Sequence, residues 1–316
     1  MPVTKIVPKV CADSDPLVAL YVYGVFDSSD QSNWPNFPAW IGYIQDSAFN
    51  VVVFSTFHVD MAGNLYGSVP LVTDGTFNPN GDLSPDLPSL YAGLQQSGKT
   101  LLYSIGNSAG TGNDLDALEQ ILADPTSAAY ANLQNNMGVL SSTLGITGID
   151  FDFEGFYDAD AQGAVTAFTT FCNALGLFVT YCPYEQEQFW IDAQTAAVST
   201  SNGSVAWWNL QCYPDLPNSP EGWLPAIQAN APAMGVSDPT TFLVPGTVAS
   251  QGTVAATQQF SQWAGATQGL NGGFIWQFGN LVPASTNPCP PWADAVIDGL
   301  ANPTSSATVP ARRQSR

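Results

Sequence analysis

Positive charge is what this chain has least of. Its 316 residues carry six Lys and Arg against 26 Asp and Glu, a formal net charge of −20. Lys5, Lys9, Arg312, Arg313 and Arg316 stand near the ends, so between residues 10 and 311 there is one Lys, Lys99, and no Arg. A balance this acidic disfavours nucleic acid and anionic membrane as partners. It also leaves the body of the chain without the guanidinium forks that grip phosphate or carboxylate ligands. A neutral ligand is expected, and any buried carboxylate has almost no cation to pair with.

Other absences narrow the field further. There is one histidine, His58, which lies just past a candidate strand and reads as a loop residue with a satisfied partner. The five cysteines, Cys11, Cys172, Cys182, Cys212 and Cys289, show no CxxC spacing and leave at least one unpaired. They read as buried small residues. Cys182 and Cys212 end neighbouring strands, but a bridge at that position would be unusual. No Gly-rich phosphate turn is present. The early apolar run LVALYVYGVF is preceded by acids, lacks a basic flank and is short for a membrane span, so it reads as a strand and not as a signal peptide.

What the chain does have is regular alternation. Apolar residues make up 45% of it, enough for a large core. Candidate strands are VALYVYGVF, NVVVFSTF, TLLYSIG, GIDFDF, LFVTYC, VAWWNLQCY, TFLVPGT and GGFIWQF, separated by helix-compatible segments such as DLDALEQILADPTSAAYANLQNNMGVL. DADAQGAVTAFTTFCNALG opens on Asp158 and Asp160 and stops at Gly176, and WADAVIDGL supplies a last helix. Eight strands each followed by a helix predict an α/β fold, a single-domain (β/α)8 TIM barrel. The domain is expected over residues 12–302, with an N-terminal extension at 1–11 and a polar, Pro/Ser-rich, disordered tail at 303–316.

The fourth candidate strand concentrates acids. In GIDFDFEGF, Asp150, Asp152 and Glu154 share one face, and Ile149, Phe151 and Phe153 share the other. In a barrel the apolar set would pack on the helices. The acids would climb the interior, with Asp150 deepest and Glu154 at the mouth. Without cations they must retain or share protons. Asp150 and Asp152 are expected to titrate as a pair, with Glu154 biased towards the neutral acid that a general acid requires. A solvated edge strand is disfavoured by the large apolar residues between the acids. A divalent-metal site is disfavoured by the absence of a nearby His and of ligands from other strands.

Polar residues on neighbouring strands fit such an interior. Asn209, Gln211 and Tyr213 share a face, and Ser104 lies on the face of Leu102 and Gly106. These would supply donors to the acids. Trp276, on the face of Phe274 and Phe278, would supply an aromatic floor of the kind that stacks on sugar C–H faces.

Taken together these residues resemble glycoside hydrolase family 18, the family of chitinases and endo-β-N-acetylglucosaminidases. The family's fourth-strand pattern D-G-x-D-x-D-x-E is matched by TGIDFDFE over residues 147–154, its third-strand S-x-G-G by Ser104 to Asn107, and its sixth-strand Q-x-Y by Gln211-Cys212-Tyr213. VTYCPY and Trp276 match its fifth and last strands. Thr147 stands in place of the first acid and Asn107 in place of the second Gly. The resemblance implies a retaining, substrate-assisted hydrolysis of β-1,4-linked N-acetylglucosamine. Glu154 would be the acid, Asp152 and Asp150 its partners, and Tyr213 a donor to the acetamido oxygen. Gln211, Trp276, Ser104 and Asn209 would bind substrate, and Trp34, Trp190 and Trp223 would form outer subsites. No cofactor and no metal are implied. The partner is chitin or another N-acetylglucosamine-containing glycan, acted on by a monomer in an extracellular setting. Cleavage of the chitobiose core of N-glycans, or a chitinase-like protein that binds without cleaving, are the alternatives.

Overall fold

The computed structural model describes residues 15–26, 30–108, 110–213, 218–282 and 286–303. The expected extension at 1–11 and all of the tail except Pro303 lie outside the described residues, as does Cys11. The chain alternates strands and helices from its first element. Strand β1 (Leu17–Tyr23) leads to α1 (Phe37–Gln45) and β2 (Val51–Val59). Three short antiparallel strands follow, β3 (Leu65–Tyr66), β4 (Pro70–Thr73) and β5 (Thr76–Phe77), then α2 (Leu87–Gln96) and β6 (Thr100–Gly106). Helices α3 (Thr111–Ala123) and α4 (Ala128–Leu144) precede β7 (Gly148–Asp152). Next come α5 (Ala159–Ala174), β8 (Phe178–Tyr181), α6 (Glu187–Ser199) and β9 (Trp208–Gln211). Helices α7 (Pro220–Met234) and α8 (Pro239–Phe242), strand β10 (Leu243–Val248), α9 (Val254–Gln268), β11 (Gly272–Trp276) and α10 (Cys289–Ala301) complete it.

Parallel pairing runs β1-β11-β10-β9-β8-β7-β6-β2, and β1 also pairs with β2, which closes eight strands into a barrel. The fold is therefore a (β/α)8 TIM barrel. Registers place Ser55, Ser104, Asp150 and Thr180 side by side on consecutive strands, so one rung of small and acidic residues crosses the interior. The other face of β7 packs outward: Phe151 stacks on Phe168 of α5 with ring centroids 5.1 Å apart and an interplanar angle of 17°. Helix termini follow local chemistry. Asp158 caps α5 by accepting from the Ala161 N–H at 2.9 Å, and Gly176 ends the same unit in the left-handed region at φ 81°.

Three local expectations are corrected. The long helical segment after β6 is two helices, because Pro125 removes a backbone donor and Ser127 caps the second one through the Tyr130 N–H. Strand β2 extends to Val59 and so contains His58. Phe278 does not share the face of Trp276: β11 ends at Trp276, and a 3-10 turn over Phe278–Asn280 swings the phenyl ring against Phe26 and Trp40.

Candidate active site

The three acids rise along and just past β7 in order of exposure. Asp150 is 0% exposed, Asp152 3%, and Glu154, two residues beyond the strand, is half-buried. No cation reaches them among the described residues. Lys99, one residue before β6, donates to the Ser47 carbonyl at 2.6 Å at the opposite end of the barrel, and His58 is paired with Asp114 at 2.8 Å.

Asp150 is held by four donors from four strands. Tyr21 Oη (2.9 Å) and Ser104 Oγ (3.1 Å) donate to Oδ2; Thr180 Oγ1 (2.5 Å) and Asn209 Nδ2 (3.1 Å) donate to Oδ1. Asn209 Oδ1 accepts from Trp207 Nε1 at 3.0 Å, which fixes the amide with its NH2 towards the acid. Burial pushes the Asp150 carboxyl above its ordinary range, and these four hydrogen bonds oppose that push. Burial and the Asp150 charge hold the Tyr21 phenol well above its usual value, so it remains a donor.

Above this layer Asp152 and Glu154 act as a unit. Gln211 Nε2 lies 2.9 Å from Asp152 Oδ1 and 3.1 Å from Glu154 Oε1, one amide serving both carboxyls. Burial, then the charges of Glu154 and Asp150, raise Asp152 well above the carboxylate range. Burial raises Glu154 as well, against hydrogen bonds from Gln211 and Asp152. Alternation alone led us to expect Asp150 and Asp152 to titrate as a pair; Asp150 instead has its oxygens filled by protein donors, and the Glu154 charge pushes the Asp152 carboxyl up more than the Asp150 charge does. The Cys182 thiol, kept protonated by burial, also hydrogen-bonds Asp152. Cys182 is a free thiol, so no bridge joins it to Cys212.

Aromatic groups close the mouth opposite β7. Trp276 is half-buried, with ring centroids 5.5 Å from Tyr21 and 5.6 Å from Tyr23, and Tyr213 lies against Phe274 at 6.4 Å. Burial, reinforced by the acids and Cys182, holds the Tyr213 phenol well above its usual range, so it is a donor.

Several expected substrate contacts fall elsewhere. Ser104 and Asn209 are fully buried beneath Asp152 and donate to Asp150, so they support the acid and do not face a ligand. Trp190 is 0% exposed, wedged against Tyr181 and donating to the Glu185 carbonyl; Trp223 is 5% exposed, edge-on to Trp208. Neither is a rim platform. Trp34 alone of the three outer tryptophans is partly exposed, packed on the core in the turn after β1. Tyr21 and Thr180 were missed, although strand alternation put Tyr21 with Tyr23 and Thr180 with Phe178 on shared faces.

The departures from the motif have local explanations. Asn107 takes φ 80°, a conformation asparagine tolerates better than most residues, and its N–H reaches the Asp152 carbonyl at 2.7 Å. Thr147 sits at the base of β7 and donates through its hydroxyl to the Leu101 carbonyl at 3.2 Å.

No family model matches the chain, and no curated protein matches it. Solved structures do. A family 18 chitinase from Pseudoalteromonas aurantia superposes with a TM-score of 0.62 at 14% identity, over 90% of this chain and 99% of that one. The chain has the glycoside hydrolase family 18 fold. A fungal endo-β-N-acetylglucosaminidase with this family 18 fold gives a TM-score of 0.56 at 16% identity over 90% and 97%. A chitinase-like agglutinin from Robinia pseudoacacia gives 0.56 at 12% over 89% and 99%. Solved structures similar to this chain therefore include chitinases, an endo-β-N-acetylglucosaminidase and a chitinase-like agglutinin, and no helix among the described residues is long and apolar enough to cross a membrane.

Proposed function

We propose that the protein is a glycoside hydrolase that cleaves β-1,4-linked N-acetylglucosamine polymers or oligomers with retention, using the substrate's own acetamido group. The observation that carries this reading is the Asp152–Glu154 pair: two acids bridged by one Gln211 amide, both raised by burial, with no cation paired to them among the described residues. Both carboxyls are thereby biased towards the protonated form that a general acid needs.

In the proposed reaction Glu154 gives its proton to the glycosidic oxygen as the C1–O bond breaks. The acetamido carbonyl oxygen attacks C1 and forms an oxazolinium ion. Asp152 turns to the acetamido N–H and stabilises the positive charge, with the hydrogen-bonded Asp150 below it, and Tyr213 donates to the acetamido oxygen. Water then attacks C1 as Glu154 takes its proton and the C1–O bond of the oxazolinium ring breaks, which restores the acid and the acetamido group and retains the anomeric configuration. No second carboxylate serves as nucleophile, a recognised exception to the two-carboxylate scheme. Trp276 floors the reacting sugar. The neutral ligand expected from the charge distribution fits this substrate.

The likeness to a fungal endo-β-N-acetylglucosaminidase supports a second reading with the same acids, cleavage within the N-glycan core. Incubation with a chitooligosaccharide series and, separately, a high-mannose glycopeptide separates the two. Release of short N-acetylglucosamine oligomers supports the first and cleavage of the glycopeptide alone the second. Inertness with measurable affinity means a binding protein. Glu154→Gln should keep binding and lower turnover by a factor on the order of 10² to 10⁴; near-normal turnover in that variant sinks the assignment.

A further inference from the structure

Three large apolar side chains are exposed among the described residues: Tyr23, Met61 and Phe156. All three stand where chain leaves the C-terminal ends of barrel strands: Tyr23 ends β1, Met61 follows β2 and Phe156 follows β7. One exposed apolar side chain is ordinary, but their confinement to one mouth points to a ligand surface. Tyr23 continues the Trp276 floor. Phe156 belongs to the other wall. It follows Glu154 by two residues, is 46% exposed, and packs over Gly112 in the first turn of α3. A Cβ at Gly112 would come within 2.8 Å of Phe156 Cζ, so the glycine keeps the seat for that ring.

Counting around the barrel from β1, β7 is the fourth strand and β11 the eighth, so Phe156 and Trp276 project from opposite sides. Glu154 stands on the β7 side as well, two residues before Phe156. In the reaction proposed above, a sugar on Trp276 directs its scissile oxygen to Glu154, which leaves the β7 side to the departing sugar. We propose that Phe156 is the stacking platform for this leaving sugar. The ring suits a pyranose face, which offers C–H groups to an aromatic π-system. This inference rests on the function proposed above.

The test compares two substrates in the full-length protein: a chitohexaose or the high-mannose glycopeptide, whichever the wild type cleaves, and the disaccharide oxazoline, which has no leaving sugar. In Phe156→Ala the ratio of oligosaccharide to oxazoline kcat/KM should fall about tenfold. Phe156→Leu, which keeps an apolar contact with Gly112 but no π-face, should show the same fall, and Phe156→Trp should restore the ratio. An unchanged ratio in the Ala and Leu variants overturns the proposal, as does restoration by Leu, which would make the ring mere packing. A wild type inert towards every substrate overturns the parent function and this inference with it, whereas an active wild type with an unchanged ratio removes only the platform.

Discussion

The Glu154 backbone N–H donates to Thr111 Oγ1 over 3.1 Å, and the same hydroxyl donates to the Asn107 carbonyl. Thr111 is fully buried at the start of α3, so the helix after β6 pins the chain just beyond β7. Thr111→Val keeps the shape and loses both bonds. It leaves a buried N–H and carbonyl without that partner, a penalty of about 1–3 kcal/mol. We expect a lower Tm and a kcat reduced several-fold with KM little changed, because the acid is displaced while the floor is not. Thr111→Ser should recover both. Equal activity in the Val and Ser variants would show that the hydroxyl does not position Glu154.

Gly106 marks the closest approach of β6 to β7. Its φ is 111°, and a Cβ there would collide with the Asp152 carbonyl oxygen and lie 2.9 Å from Phe153 Cδ1. Gly106→Ala therefore strains the backbone and pushes the strand that carries the acids. Destabilisation of more than about 2 kcal/mol in urea unfolding is expected. Asn107→Gly, next along and already in the left-handed region, should change stability by less than about 1 kcal/mol. Comparable losses in both variants would contradict the crowding argument.

These two positions show where sequence stops being informative. The alternation of Asp150, Asp152 and Glu154 is a local, two-residue period, and it gave their common face and their order of depth. The four donors on Asp150 come from β1, β6, β8 and β9, and nothing local says which inward hydroxyl meets which oxygen across the barrel. Trp190 and Trp223 were legible and misread. Trp190, Ala193, Gln194 and Ala197 are all buried at helical spacing on α6, and Trp223 shares this pattern with Ile227 on α7. That spacing marks core, not rim. The short excursion after β2 also left a signal: Asp74-Gly75, at φ 49° and 75°, is the Asp-Gly pair that two-residue hairpins favour between β4 and β5. The Gln211 amide that bridges Asp152 and Glu154 lies 57 residues further along the chain from Glu154, beyond the reach of any local pattern.

The raised carboxyls make stability depend on pH with a definite sign. Asp152 is raised well above its ordinary value, first by burial and then by the Glu154 and Asp150 charges; Glu154 and Asp150 are raised by burial. The folded site therefore binds protons that the unfolded chain releases above about pH 4. Stability from these groups is fully present below that pH and is lost as pH rises through their higher folded values. The Tm should fall between pH 5 and pH 8. Overall repulsion at a net charge of −20 works in the same direction, so the wild-type curve alone does not isolate the site. Asp152→Asn does: it keeps the shape of the neutral acid and cannot ionise, while the rest of the charge is unchanged. The variant should gain Tm relative to the wild type at pH 8, and the gap should narrow towards pH 5 even though turnover is severely impaired throughout. Parallel Tm curves for the two proteins would mean that Asp152 holds no extra proton in the folded state, and its bias towards the protonated form would lose its physical basis.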